Sequence, residues 1–283
     1  KALDVSIPKG RMIAVTGVSG SGKTSLVIEC LVPALQAVIH GTKLPEHVES
    51  IEAKEIQSVK VIDSKPIGAN VRSTVATYDG VFDDLRKLFA KIPDAKSKGL
   101  SAGDFSYNTG KLRCPVCDGT GIITMDVQFL PDVDTICPSC GGSRYGKEAY
   151  DILWKSKEKD SVSVSLPGLL KLTVEEAAGI LHEETKIAKQ LKILQDLGVC
   201  YLTLGEATPA LSGGEAQRLK LAYEMETPQQ GSVFVFDEPT IGLHPQDVKK
   251  LILIFDHLIQ LGATVIVIEH DLELVTNCDY IID

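Results

Sequence analysis

Three short apolar runs stand out along the chain: MIAVT at 12–16, SVFVF at 232–236 and TVIVI at 264–268. Each run is continuously apolar and of strand length, which is typical of parallel strands buried on both faces of a sheet. A helical pattern follows the first run over 25–38, and another lies between the last two over 246–261. This strand–helix–strand order predicts an α/β core with a parallel sheet.

The middle of the chain has a different pattern, with two cysteine pairs, many Gly, Lys and Asp residues, and few long apolar runs. We therefore predict a core built from 1–63 and 211–283, interrupted by an insert at 64–210. Within the insert, Thr173 to Glu176 (TVEE) matches a helix capping box. Apolar residues at helical spacing follow it, and Gly198 is placed to end that helix.

Composition narrows the class of protein. The 283 residues are 44% hydrophobic, as in ordinary globular proteins, and no apolar run is long enough to cross a membrane. The formal charge of −9 argues against a protein that coats nucleic acid, although it allows a local basic face. The start has neither a signal-peptide core nor a Met, and the end, CDYIID, is typical of a strand. We expect a fragment of a cytoplasmic protein.

The run MIAVT leads directly into GVSGSGKTS, which satisfies the phosphate-loop pattern GxxxxGK[ST]. Glycines allow backbone N–H groups to face phosphates, Lys23 can reach the β and γ oxygens, and the Thr24 hydroxyl can bind Mg²⁺. A chance glycine-rich turn is the alternative, but the strand before the loop and the helix after it favour an ATP site. The predicted nucleotide-binding residues are Gly17, Val18, Ser19, Gly20, Ser21, Gly22, Lys23, Thr24 and Ser25.

Acidic residues and a histidine follow the other two apolar runs. Asp237 is placed to hold Mg²⁺ opposite Thr24, and Glu238 to polarise a water for attack on the γ-phosphate. Alone, the acidic pair would be interpreted as a solvated loop. His270 follows TVIVI and could contact the γ-phosphate, because strand C-termini face the ligand crevice of a parallel sheet. A structural role for His270 is equally compatible with its spacing.

Four of the seven cysteines form two CxxC pairs within 110–148, at the spacing of a zinc ribbon. Two pairs in a chain without an export signal favour Zn²⁺ over disulfides or redox chemistry, with an iron–sulfur cluster as a minor alternative. Residues 120–134 between the pairs are expected to form a hairpin, and the other three cysteines to be buried thiols. The predicted ligands are Cys114, Cys117, Cys137 and Cys140.

Basic and aromatic residues are interleaved around the cysteine pairs. This composition fits a nucleic-acid face, and a solvated surface is the alternative. The residues are Lys96, Lys98, Phe105, Tyr107, Lys111, Arg113, Phe129, Arg144, Tyr145, Lys147, Lys155, Lys157 and Lys159.

Longer motifs carry a resemblance to a known family. LSGGEAQRLKLA at 211–222 resembles the ABC ATPase signature, FDEPTIGLH its Walker B and D-loop, and EHD its H-loop. The segments GDFSYNTGKLRCPVCDGTG and QFLPDVDTICPSCGGSRY resemble the C-terminal half of the UvrA family, the DNA-damage sensor ATPases of nucleotide excision repair. The cysteine module makes this resemblance more specific than the ATPase motifs do.

The resemblance implies a P-loop NTPase fold of the ABC ATPase type, with a helical signature domain enlarged by a zinc-binding hairpin that faces damaged duplex DNA. It also implies a second ABC module in the same protein, a homodimer partner, and UvrB binding through a region absent here. Such modules meet head to tail, so the signature would face the partner module's ATP. The signature residues are Ser212, Gly213, Gly214 and Glu215.

Two departures from the family pattern bear on its function. Ser64 stands where the family has the Gln of its Q-loop, so coupling between the insert and the nucleotide site is expected to be weaker. The family segment PRSNPATY is VRSTVATY here, at 71–78, and lacks both prolines. UvrA-like paralogues linked to drug tolerance share these motifs, so two alternatives stay open: such a paralogue, and an ABC ATPase subunit of another class.

Overall fold

The computed structural model of the protein describes residues 3–125, 133–157, 162–225 and 229–283. The strands are β1 (Met12–Val15), β2 (Ser58–Ile62), β3 (Ile122–Met125), β4 (Val133–Ile136), β5 (Leu153–Lys155), β6 (Ser163–Ser165), β7 (Ser232–Asp237), β8 (Thr264–Ile268) and β9 (Tyr280–Ile282). The helices are α1 (Val32–His40), α2 (Val75–Tyr78), α3 (Val81–Phe89), α4 (Pro93–Ser97), α5 (Leu166–Lys171), α6 (Val174–Ile180), α7 (Thr185–Asp196), α8 (Gly213–Met225), α9 (Pro245–Gln260) and α10 (Leu272–Thr276). A π-helical stretch, Ser25–Leu31, precedes α1, and 3₁₀ turns lie at Lys147–Asp151 and Thr208–Ala210.

The chain divides into two compact units. The core unit comprises Lys1–Lys65 with Ser212–Asp283, and the insert unit comprises Pro66–Leu211. The functional domain limits inferred from sequence motifs, at 63/64 and 210/211, stay a prediction.

A parallel sheet organises the core unit, with the order β2-β7-β8-β1-β9 among the described residues. Every residue of β1 and β8 is buried, as are the first five residues of β7. The three apolar runs of the sequence are therefore its adjoining strands β7, β8 and β1, and the predicted α/β fold is confirmed. Val15 and Asp237 both pair with Ile268, so the carboxyl ends of these three strands lie together at one edge.

Helices cover this sheet through apolar faces. The side of α9 that contains Val248, Leu251 and Leu258 is buried, and the ring centroids of Phe255 and Phe236, on β7, lie 4.5 Å apart.

Among the described residues, no helix is both long and apolar enough to cross a bilayer.

The insert unit has short elements and an aromatic core. The ring centroids of Phe82 and Tyr107 lie 4.8 Å apart, and Tyr107 meets Tyr145 edge to face at 6.1 Å. The Tyr145 hydroxyl donates to the carbonyl of Phe105 at 2.6 Å. Buried aliphatic side chains, such as those of Leu85, Leu169 and Leu191, supply the rest of the apolar interior.

Local signals in the insert act as the sequence predicts. The Thr173 amide donates to the Glu176 carboxylate at 2.8 Å, and the Glu176 amide donates to the Thr173 hydroxyl at 3.2 Å. This reciprocal pair satisfies two N–H groups at the start of α6 and confirms the capping box. Gly198 follows α7 with φ +73°, a left-handed conformation that glycine adopts easily.

Candidate nucleotide and metal sites

The phosphate-loop segment leaves the end of β1 at the carboxyl edge of the sheet. Gly17, Gly20 and Gly22 have φ values of +131°, +81° and +97°, conformations that side chains rarely adopt. A Cβ at Gly17 would also lie 3.0 Å from the Ser21 hydroxyl. Glycine is therefore required at Gly17 on two grounds, backbone conformation and space.

Lys23 and the helix that follows complete the loop. The Lys23 ammonium donates to the carbonyls of Gly17 and Val18, both at 2.9 Å, so it lies across the loop. Thr24 is the N-cap of the π-helical stretch Ser25–Leu31. A helix N-terminus presents unpaired N–H groups and partial positive charge, which together with a lysine suit a polyphosphate.

Asp237 and Glu238 end the neighbouring strand β7. Burial, together with the charges of Glu238 and Asp63, raises the pKa of Asp237 above its ordinary value. A divalent cation would offset this concentration of negative charge, and carboxylate oxygens are the ligands that Mg²⁺ prefers. The residues present therefore fit a Mg²⁺ site at this edge of the sheet.

Glu238 has an unusual backbone. Its φ is +49°, in the left-handed region, and its N–H donates to the Ile268 carbonyl at 2.9 Å. Non-glycine residues in this region cost free energy and cluster at functional sites. The Glu238 carboxylate lies 3.8 Å from the Nε2 of His270.

Glu269 connects the segments that follow β7 and β8. The sequence analysis did not predict this role. Its side chain is only 3% exposed and accepts hydrogen bonds from the Thr240 amide at 3.0 Å and the His270 amide at 2.6 Å. The Thr240 hydroxyl donates to the same carboxylate. A carboxylate directly after a wholly apolar run, as in TVIVIE, is the signal that could have indicated it.

The signature segment forms a capped helix N-terminus at the start of α8. The Ser212 amide donates to the Glu215 carboxylate at 2.7 Å, and the Glu215 amide donates to the Ser212 hydroxyl at 3.4 Å. A Cβ at Gly213 would lie 3.0 Å from the carbonyl oxygen of Ser64. The glycine thus allows α8 to pack closely on the segment that holds Ser64.

Two further residues of α8 bind backbone carbonyls at the sheet edge. The buried Gln217 amide donates to the carbonyls of Ile62 and Asp237, at 2.9 and 3.0 Å. The Lys220 ammonium donates to the Asp63 carbonyl at 3.0 Å, the Asp63 carboxylate at 2.5 Å and the Lys65 carbonyl at 2.8 Å. Gln217 joins α8 to the ends of β2 and β7, and Lys220 joins it to the segment that follows β2. The spacing of the sequence motifs did not predict these hydrogen bonds.

The four predicted metal ligands lie together in the insert unit. Their sulfur atoms are all within 4.8 Å of one another, with Cys114 to Cys137 at 4.0 Å and Cys117 to Cys140 at 3.7 Å. A tetrahedral ion bound at about 2.3 Å places its sulfurs about 3.8 Å apart. The donor set and its spacing therefore fit Zn²⁺.

A hairpin joins the two cysteine pairs, as predicted. Strands β3 and β4 are antiparallel, with Ile122 opposite Ile136, and Ile123 packs on the cysteine cluster. The tip of the hairpin, with Phe129, lies outside the described residues, and so does Lys159.

Two predictions from the sequence are wrong, one about the aromatic residues near this cluster and one about the other three cysteines. The rings of Phe105, Tyr107 and Tyr145 are at most 1% exposed and belong to the core, so they cannot stack on nucleic-acid bases. The remaining cysteines are half-buried rather than fully buried: Cys30, Cys200 and Cys278. The lysines of the basic set that the structure describes remain exposed: Lys96, Lys98, Lys111, Lys147, Lys155 and Lys157.

Known proteins resemble the chain over nearly its whole length. No protein-family model matches the chain. UvrABC system protein A of Staphylococcus aureus (strain COL) is 43% identical over 288 residues, covering all of this chain and 29% of the relative. The same protein of Aquifex aeolicus (strain VF5) is 43% identical over 286 residues, covering all of this chain and 30% of the relative. The crystal structure of UvrA2 from Deinococcus radiodurans has a TM-score of 0.85 and 42% identity over 99% of this chain and 33% of that one.

Over its whole length, the chain is similar to part of UvrABC system protein A. It spans about 30% of the length of the curated UvrA relatives it matches. Its fold is the P-loop α/β fold of an ABC-type ATPase and matches that of the UvrA2 structure; the chain also carries the four-cysteine module.

Proposed function

We propose that the chain is the ATP-hydrolysing, DNA-binding module of a UvrA-type DNA damage sensor in nucleotide excision repair, acting in the cytoplasm. The main support is that the phosphate loop, Asp237, Glu238 and His270 follow strands that end at the same edge of the sheet. The chain is also 43% identical to a UvrA relative.

Each residue at that edge has a role in hydrolysis. The loop amides of 17–25 and Lys23 bind the ATP phosphates, and Thr24 with Asp237 holds Mg²⁺, which supplies charge compensation for the phosphoryl oxygens. Glu238 orients the attacking water and accepts its proton. His270 contacts the γ-phosphate, and the 3.8 Å distance between its Nε2 and the Glu238 carboxylate supports a shared role for the two side chains.

The signature segment serves a different ATP. The loop already binds phosphate within this chain, so the capped N-terminus of α8 at Ser212–Glu215 faces the ATP of a second ABC module. That module belongs to the same protein, and a homodimer partner completes the assembly. The isolated chain is then a poor ATPase, and closure on ATP shifts the population between states that grip DNA differently. The effect of Ser64 at the Q-loop position is weaker coupling to the insert.

The four-cysteine module holds structural Zn²⁺, which fixes the hairpin and the basic surface around it. The exposed lysines of the insert unit contact DNA phosphates. UvrB binding belongs to a region with no counterpart in this sequence.

Salt dependence of DNA binding tests the proposal. Binding of the chain to a duplex with and without a lesion is measured across salt concentrations in the presence of Mg²⁺ and ATP. Replacing Lys111 and Lys147 by Gln should reduce the slope of log affinity against log salt by about 1 for each phosphate that is no longer neutralised. The control replaces Lys54 and Lys249, exposed lysines of the core unit, and should leave the slope unchanged. Failure of the intact protein to bind duplex DNA would contradict the proposal.

A paralogue in drug tolerance is the second candidate, favoured by Ser64 and by the loss of both prolines in VRSTVATY. Restoration of repair by the full-length gene product, in a strain that lacks UvrA, supports the damage sensor. Failure to restore repair by a protein that still binds ATP and DNA supports the paralogue.

A further inference from the structure

Arg144 lies against the cysteine cluster but is not one of its ligands. Its backbone carbonyl accepts the Cys114 amide at 2.9 Å, which joins the two cysteine knuckles. Its side-chain stem lies over Gly121, where a Cβ would be 3.2 Å from the Arg144 Cγ. The Gly121 amide in turn donates to the Cys117 sulfur at 3.3 Å. Arg144 therefore packs on the turn that orients a ligand.

The guanidinium of Arg144 is buried. The residue is only 6% exposed, and its guanidinium lies 5.1 Å from the Tyr107 ring centroid, in a cation–π arrangement. Among the described residues, its Nη1 atom is buried and has no hydrogen-bond partner. A buried cation needs a compensating negative charge, since removing it from water is costly.

The nearby carboxylate already has partners. Asp118, which follows Cys117, pairs with Arg72 at 3.4 Å and with Arg113 at 2.9 Å. Because the stem of Arg144 packs on the turn whose amide binds the Cys117 sulfur, the cysteine sulfurs are the negative groups available to it. Burial lowers the pKa of the Arg144 guanidinium, and Tyr107 and two of the cysteine sulfurs oppose that shift. Four thiolates around a divalent ion carry a net charge of −2, which matches a buried arginine in sign.

We propose that Arg144 is a positioning residue for the metal site, whose charge stabilises the four-thiolate form of the cluster. This inference rests on the proposed function, because it requires that the cysteines bind a metal. Partners around metal ligands commonly change metal affinity by about 10- to 100-fold when they are removed. Arg144 supplies charge rather than a metal bond, so its effect depends on charge more than on shape.

The test uses Zn²⁺ alone and the whole chain. Zinc affinity is measured by competition with a chromophoric chelator for the wild type, R144M, R144K and the control K147M, which removes an exposed charge from the same module. We expect R144M to lose about 10- to 100-fold in affinity. K147M should match the wild type, and R144K should lie closer to the wild type than R144M does. Equal affinities for R144M and the wild type, or for R144M and R144K, would overturn the inference.

A neutral variant that folds poorly is still informative. R144M and R144Q are then refolded across Zn²⁺ concentrations and followed by circular dichroism, with K147M as the reference. The inference requires a higher zinc midpoint for both neutral variants, and equal midpoints contradict it. A wild-type chain that binds no zinc and refolds without it overturns the metal site itself, whereas a zinc-binding wild type matched by R144M overturns only the role of Arg144.

Discussion

The core unit and the insert unit keep their chemistry in different places. In the core unit, the interior consists of apolar strands, and the functional side chains stand at the edge of the sheet, as Glu238 and His270 do. In the insert unit, three of the four predicted zinc ligands and Arg144 are part of the interior. Function and stability should therefore be separable in the core unit and inseparable in the insert unit.

Removing two ligands is the strongest test of this difference. Replacing Cys114 and Cys117 by Ser should release about one metal per chain, measured by elemental analysis, because structural Zn²⁺ contributes about 10–16 kcal/mol to the folded state of small zinc domains. The insert unit should become sensitive to limited proteolysis while the core unit stays resistant. Cys200→Ser in the same unit is the control. Unchanged zinc content would refute the ligand assignment, and joint unfolding of both units would break the comparison.

Glu238→Gln should separate activity from stability. ATP binding and the melting temperature should stay near those of the wild type, whereas steady-state hydrolysis should fall by about 10²- to 10⁴-fold because the proton acceptor is lost. Turnover is measured at chain concentrations where activity per chain no longer rises. The control is Glu46→Gln, an exposed residue of the core unit. Hydrolysis equal to that of the wild type would show that Glu238 is not the base.

Gln217→Met should reveal where the core unit does depend on a polar side chain. The substitution leaves the carbonyls of Ile62 and Asp237 without their donor, at a cost of about 1–3 kcal/mol in the free energy of unfolding. Denaturant unfolding of the core unit measures this cost. Gln246→Met, on the exposed start of α9, should have almost no effect. Equal stabilities of the two variants would show that this bridge contributes nothing.

Asp63→Asn should give a small effect that depends on pH. Burial opposes ionisation of Asp63, but the hydrogen bond and charge of Lys220 outweigh it, so the pKa of Asp63 is below its usual value. A carboxyl with a lowered pKa stabilises the folded state above its unfolded pKa of about 3.9 and loses that contribution as the pH falls through the folded value. The stability difference from the wild type should be present at neutral pH and shrink in acid. The same difference at every pH would contradict this, and Asp256→Asn is the exposed control.

The sequence predicted the strands that are apolar throughout and missed the strand that is not. The runs in β1, β7 and β8 are visible because a strand buried on both faces excludes polar residues. The run SVKVI of β2 is interrupted by Lys60, whose ammonium pairs with Glu224 at 3.1 Å and lies 5.0 Å from the Phe234 ring centroid. A tertiary partner makes that lysine acceptable, and local pattern cannot reveal such a partner.

The same limit applies to the site. Residues that follow a strand were predictable, because parallel topology brings strand ends together. Gln217 and Lys220 were not predictable, because they bind the backbone carbonyls of Ile62 and Asp63, more than 150 positions away in the sequence. The aromatic residues near the cysteines were misinterpreted because their sequence has no periodicity that separates inward from outward positions.

The strand order also determines when the sheet can assemble during synthesis. Both early strands, β1 and β2, pair only with β7, β8 or β9 in the described sheet, which all emerge after the whole insert unit. At ordinary rates of translation, the wait between β2 and β7 is on the order of ten seconds. The insert unit thus has time to fold during synthesis before the sheet of the core unit can assemble.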